Sequence, residues 1–169
     1  MKKHFYFTFP FLFSICCFVG CSEEKPEGLP PLQKVALQFN QEGTPCVGAS
    51  VSLVPLDKSP WFVGGSTDAN GSVQLKTHGK YVGVPVGKYR ITISKTEKAD
   101  TAKRDTNERP PDMASMMTPV VDSYHLIDPK YASRQSSPLE IEVVAGKNTF
   151  DPFNLGEPVH VRMKQPGER

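Results

Sequence analysis

Three histidines, His78, His125 and His160, have the widest chemical range of the side chains beyond the N-terminal segment. Histidine works as a general acid or base near neutral pH and as a ligand for zinc. However, the chain contains no H-x-x-x-H, H-E-x-x-H or C-x-x-C pattern, the usual spacings of zinc ligands. It also contains no G-x-S-x-G nucleophile elbow and no phosphate-binding loop. The sequence therefore predicts a protein without catalysis, metal or cofactor.

The segment TDANG, residues 67–71, carries two oxygen-bearing side chains, Asp68 and Asn70, followed by Gly71. Two such ligands are too few for a calcium loop, which uses six or more oxygen atoms. Asp and Asn side chains also accept hydrogen bonds from nearby backbone N–H groups in tight turns, and Gly71 can take a positive φ. We therefore expect a hairpin turn here rather than a calcium site.

Four aromatic residues lie in or beside predicted loops, where they could contact a ligand or a partner: Trp61, Phe62, Tyr81 and Tyr124. Aromatic faces can stack on sugar rings, so a carbohydrate site is one interpretation. The other interpretation is that large rings such as Trp61 and Phe62 cap the end of the hydrophobic core. The sequence alone leaves both interpretations open.

The N-terminus has the pattern of a secretory signal, because Lys2 and Lys3 precede an almost uncharged apolar run over residues 5–19. Its fifteen residues are fewer than the ~20 that a transmembrane helix needs, and they fit the apolar region of a signal peptide. The run ends in FVGC, residues 18–21, which resembles the bacterial lipobox, in which a small residue precedes an invariant Cys. That resemblance implies a diacylglycerol group on the Cys21 sulfur, cleavage before Cys21 and acylation of the new amine.

The resemblance predicts a lipoprotein signal peptide over residues 1–20, then lipidated Cys21 on a flexible tether that extends to residue 32. It implies a membrane-anchored protein of the bacterial cell envelope that faces away from the cytoplasm, in the periplasm or at the outer surface. A signal peptide cut elsewhere and an uncleaved anchor are the alternatives.

Removing the leader changes both the charge and the cysteine count. The 20 basic residues fall to 18 without Lys2 and Lys3, which equals the 18 acidic residues. A neutral chain gives no reason to expect a nucleic-acid partner. Cys46 is the one thiol that remains besides Cys21, so no intramolecular disulfide is expected. We interpret Cys46 as a small buried hydrophobe.

The remaining chain reads as short strands joined by turns, since Pro and Gly together supply 29 of the 169 residues. Apolar and polar residues alternate in several segments, which is the pattern of half-buried strands. We therefore predict an all-β fold, an antiparallel β-sandwich over residues 33–163, with a long loop insertion at 95–123 and a tail at 164–169. The predicted strands lie near residues 35–39, 49–53, 73–75, 89–93, 139–143, 150–155 and 159–163, and residues 57–65 are predicted as a loop.

Three of these segments resemble the carboxypeptidase regulatory-like, or transthyretin-like, domain. They are GASVSL at 48–53, TDANGSVQL at 67–75 and VGKYRITI at 86–93, in the order that the family shows. IDPKY at 127–131 and AGKNTF at 145–150 resemble small bacterial lipoproteins that are built from this domain. The resemblance implies a seven-stranded sandwich of the prealbumin type, usually without catalysis, whose members assist stability, adhesion or carbohydrate contact.

The resemblance therefore predicts a non-catalytic, membrane-anchored module with a structural or binding role, whose partner is an envelope protein or a glycan. A carbohydrate-binding lipoprotein is the first alternative. A hydrolase is the second and less favoured alternative, because the hydroxyisourate hydrolases of this fold end in a Tyr-Arg-Gly-Ser type tail. The present chain ends instead in QPGER, residues 165–169.

Overall fold

A computed structural model describes residues 25–99 and 122–164 of the chain. The predicted signal peptide, Cys21, most of the 95–123 segment and nearly all of the tail lie outside these residues. One 3-10 turn, Pro129–Ala132, is the helical element of the described part. The strands are β1 (Leu32–Gln33), β2 (Val35–Gln41), β3 (Thr44–Pro45), β4 (Ser50–Pro55), β5 (Val63–Ser66), β6 (Ser72–Val73), β7 (Lys76–Thr77), β8 (Tyr81–Val82), β9 (Val84–Pro85), β10 (Gly87–Ser94), β11 (Thr96–Lys98), β12 (Ser123–His125), β13 (Glu140–Val143), β14 (Asn148–Thr149), β15 (Phe153–Asn154) and β16 (Val161–Arg162).

The largest sheet has six antiparallel strands in the order β13-β10-β4-β5-β7-β8. A second sheet forms around β2, which pairs antiparallel with β3 and β6 and parallel with β14 and β15. Two smaller sheets, β1-β9 and β11-β12-β16, complete the described part. The two parallel pairs arise because the chain leaves β13 of the first sheet and then runs beside β2 in the same direction.

One hydrophobic core joins the two main sheets. Strand alternation buries Leu37 and Phe39 of β2 in the same cluster as Leu53 of β4 and Ile91 of β10. The Phe39 ring has no exposed surface and stacks on Phe153, with 5.5 Å between ring centroids. The prediction of an all-β sandwich with mainly antiparallel pairing is therefore confirmed.

Two segments that were predicted as loops contain strands. Residues 63–66 form β5 although the sequence predicts a loop over 57–65, because Gly64 and Gly65 give no alternating signal. A Cβ atom on Gly65 would lie 2.5 Å from the Gln74 carbonyl oxygen, so this strand needs glycine for the close approach. The predicted insertion at 95–123 begins in β11 and ends in β12, which pair with each other.

Candidate functional site

Strand register brings several separate loops to one end of the six-stranded sheet. Gly87 pairs with Val143, Tyr89 with Pro55 and Val63 with Thr77, so these strand ends lie at the same level. The chain enters the fold beside this end, since Leu32 of β1 pairs with Pro85 of β9. We call this the β1 end, and it consists of the loop at 56–62, the turn at 78–80, residues 86–88 and the turn at 144–147.

Three of the four predicted contact residues, Trp61, Phe62 and Tyr81, lie at the β1 end. The Trp61 ring contacts the His78 imidazole, with 5.2 Å between ring centroids. The His78 backbone N–H donates to the Phe62 carbonyl oxygen at 2.7 Å, which fastens the turn to the loop. Lys80 Nζ lies 5.4 Å from the centre of the Tyr81 ring, a cation–π contact.

The rings at this end cap the sheet without being buried by it. Phe62 is 59% exposed, although its ring lies against Gly64, where an added Cβ would meet it at 3.3 Å. Trp61 and Tyr81 are half-buried. These three rings are therefore partly covered by the fold and partly accessible to solvent.

Two further apolar side chains at the β1 end are presented by loops that polar groups hold in place. Val86 is 54% exposed, and it follows Pro85, whose carbonyl oxygen accepts a hydrogen bond from the buried Tyr89 hydroxyl at 2.9 Å. Burial raises the pKa of Tyr89, so this hydroxyl stays protonated and keeps donating.

Val144 is 49% exposed, and the turn that carries it is closed by the buried Asn148 carboxamide. Asn148 Oδ1 accepts from the Val144 N–H at 2.9 Å, and Nδ2 donates to the carbonyl oxygens of Val144 and Gly146 at 2.8 and 3.1 Å. The Gly146 N–H in turn donates to Oε1 of Gln33 in β1 at 3.0 Å. The turn at 144–147 is thus fixed beside the point where the chain enters the fold.

Tyr124, the fourth predicted contact residue, lies away from the other three. It belongs to β12, which pairs with β11 just beyond Ser94 at the opposite end of β10. Its ring stacks on His160 with 4.0 Å between centroids. The four aromatic residues therefore do not form one site.

A groove of about 630 Å³ lies over the β2 sheet, and the sequence gives no sign of it. Its polar lining includes Lys34, Gln38 and Gln74, and Phe150 adds an aromatic ring. Gln38 is partly engaged, because its Nε2 donates to the Asn70 carbonyl oxygen at 3.0 Å.

The Asp68 carboxylate stabilises a turn, as the sequence predicts. Its Oδ1 accepts hydrogen bonds from the backbone N–H groups of Asn70 and Ser72 at 2.8 and 3.0 Å. Gly71 has a φ of +73°, and its position beside the Phe39 carbonyl leaves no room for a side chain.

Cys46 is 2% exposed, as expected of a small buried hydrophobe. Burial raises the pKa of its thiol, and the charge of Lys95 acts in the opposite direction to a smaller degree. Among the described residues, no three His, Cys, Asp or Glu side chains come together in a way that could hold a metal ion. The described residues also contain no helix that is long and apolar enough to cross a membrane.

Comparison with known proteins adds no relative. No protein-family model matches the chain, and neither a curated protein nor a solved structure matches it.

Proposed function

We propose that this chain is a non-catalytic lipoprotein of the bacterial cell envelope, anchored by acyl chains on Cys21, whose sandwich acts as a structural or binding module. The observation that carries the proposal is the position of Cys21 directly after the apolar run, preceded by Gly20 and followed by a polar segment. The buried core residues of the described chain all lie between Leu37 and Leu155, so the anchor and the folded body are separate in sequence.

The geometry of the chain entry supports this arrangement. Eleven residues lead from Cys21 to Leu32, the first strand residue. An extended chain of that length spans at most about 40 Å, so the domain stays close to the membrane that holds the anchor. The described residues 25–28 of this stretch are exposed.

We further propose that the sandwich is of the prealbumin type with seven principal strands, as the motif resemblance implies. The motif residues support this proposal through the positions that they occupy. Val51, Leu53 and Ile91 are core residues, Gly71 makes a tight turn, and the Tyr89 hydroxyl closes the bend before β10.

Replacement of the anchoring thiol tests the main proposal. Cys21→Ala is expected to abolish incorporation of a labelled fatty acid and to leave the precursor uncleaved. The matched control is the double variant Cys16→Ala/Cys17→Ala, which removes the two leader thiols and should keep both labelling and processing. Labelling that persists in the Cys21 variant, or an unlabelled wild-type protein, would contradict the proposal.

Carbohydrate binding is the second candidate, supported by the position of Trp61, Phe62 and Tyr81 at one end of the sheet. Stacking on Trp61 would supply much of the affinity, so Trp61→Ala should abolish glycan-array signals while the fold is retained. Tyr124→Ala is the matched control, because Tyr124 lies at the other end. A wild-type protein that binds no glycan would remove this candidate.

A further inference from the structure

The β1 end combines exposed apolar side chains with exposed lysines. Its loops expose Val86, Val144 and Phe62 by 54%, 49% and 59%. The segments 56–62, 78–80, 86–88 and 144–147 also carry four lysines and one carboxylate, Asp57, and Glu142 lies beside them on β13. The lysines are Lys58, Lys80, Lys88 and Lys147, and all four are exposed.

The turns at the opposite end carry two acidic residues, and Lys95 lies close to one of them, in the groove that Glu42 also lines. Glu42 lies in the turn between β2 and β3, and Asp68 lies in the turn before β6. Both side chains are exposed. The segments of the β1 end therefore carry more lysines than carboxylates.

The path of the chain places the start of the fold beside the β1 end. Leu32 pairs with Pro85, one residue before Val86, and Gln33 accepts a hydrogen bond from Gly146 in the turn that carries Val144. Since the proposed anchor lies eleven residues before Leu32, the tether leaves the domain beside the exposed valines.

We propose that the β1 end docks on the phospholipid surface that holds the anchor, with Val86 and Val144 at the headgroup boundary. This inference rests on the proposed lipid anchor. Lysine ammonium groups attract anionic headgroups, and Trp and Tyr rings favour the interface between water and lipid. Exposed apolar side chains with lysines around them match the chemistry of that surface. The tether also keeps the domain near the membrane, which raises the effective concentration of lipid at the β1 end.

Rigid presentation of the apolar side chains strengthens the inference. The Tyr89 hydroxyl holds the bend before Val86, and the Asn148 carboxamide holds the turn of Val144. These hydrogen bonds restrain the two segments before docking, so their contact with lipid costs less conformational entropy than that of unrestrained loops.

Trp61 is the single tryptophan of the chain and lies at the β1 end, so its fluorescence reports docking directly. The experiment reconstitutes the native lipoprotein into vesicles that contain anionic phospholipid and a lipid brominated at a shallow acyl position. We expect Trp61 emission to fall by about half and to shift to shorter wavelength. Vesicle flotation in the same sample reports the anchor independently.

The variant pair Val86→Glu/Val144→Glu should restore most of the Trp61 emission while flotation is unchanged. The matched control is Val47→Glu/Val161→Glu, since these valines are 43% and 45% exposed and neither lies at the β1 end. That control should be quenched like the wild type. Equal quenching in both variant pairs would overturn the proposal.

Failure of the anchor and failure of docking give different results. If the native protein floats but Trp61 is not quenched, the anchor stands and docking is wrong. If it does not float, the anchor is wrong, and docking is tested separately. For that test the chain from Ser22 is attached to nickel-chelating lipid through an N-terminal histidine tag, and quenching of Trp61 emission supports docking whereas unchanged emission contradicts it. Unquenched Trp61 together with a positive glycan array would assign the β1 end to carbohydrate instead.

Discussion

Asn148 offers the sharpest test of how the β1 end is held together, because its buried side chain closes the turn at 144–147 with three hydrogen bonds. Asn148→Ala leaves the Val144 N–H and two carbonyl oxygens without their partner. A hydrogen bond contributes about 1 kcal/mol net, so three amount to about 3 kcal/mol. Val144 and Gly146 are exposed, so water can replace some of the lost hydrogen bonds. We therefore expect a loss of about 2 kcal/mol in the free energy of unfolding.

The measurement is equilibrium urea denaturation followed by Trp61 fluorescence, with the m-value unchanged between variants. A loss of this size leaves a typical domain folded, so the variant can be measured. Asn154→Ala is the matched control, since the Asn154 side chain accepts one hydrogen bond, from the exposed Gly156 N–H at 3.0 Å, and should cost below about 0.5 kcal/mol. Equal losses in the two variants would refute the assigned role of Asn148.

Three further predictions follow from burial and charge. Cys46, buried and with a raised thiol pKa, should resist a thiol reagent at pH 7 and react once urea unfolds the chain; rapid labelling of native protein would contradict this. Phe39 is fully buried, so Phe39→Ala should lower the free energy of unfolding by about 3 to 5 kcal/mol in urea denaturation. A loss below about 1 kcal/mol would contradict the central position of Phe39 in the core. Asp128→Ala should destabilise the protein at pH 7, and the difference from wild type should vanish at low pH.

The sign of the Asp128 effect follows from its hydrogen bonds. The Lys130 backbone N–H donates to Asp128 Oδ1 at 2.9 Å and holds the pKa of that carboxyl below its usual range. A lowered pKa means that the contribution is fully present above the unfolded value, about 4, and disappears as the pH falls through the folded value. Unfolding curves of wild type and variant at pH 7 and pH 3 measure the difference, and a gap that is as large at pH 3 as at pH 7 would contradict the assignment.

Strands with clear alternation were predictable from the sequence. Tyr89, Ile91 and Ile93 alternate with polar residues, and all three are buried on β10. Such alternation is a local property, because successive side chains of a strand point to opposite faces whatever the strand pairs with. The turn of Asp68 was predictable for the same reason, since its hydrogen bonds span at most four residues.

The missed strands depend on partners that are distant in sequence. β5 contains Gly64 and Gly65, whose strand conformation is set by close backbone approach to neighbouring residues. β11 carries charged, exposed residues and is recognisable through its pairing with β12. The parallel pairing of Asn148 with Val35 joins residues far apart in the chain, which no local pattern reports.

The features of the candidate site also differ in whether the sequence could predict them. The sequence by itself determined the residue types, the apolar N-terminal run that ends at Cys21, and the alternation that makes a sandwich. Tertiary structure decided that Trp61, Phe62 and Tyr81 share an end with Val86 and Val144, whereas Tyr124 lies elsewhere. The physical reason is that composition and periodicity act between near neighbours, whereas the end of a sheet is assembled by the register of strands that meet only after the chain has folded.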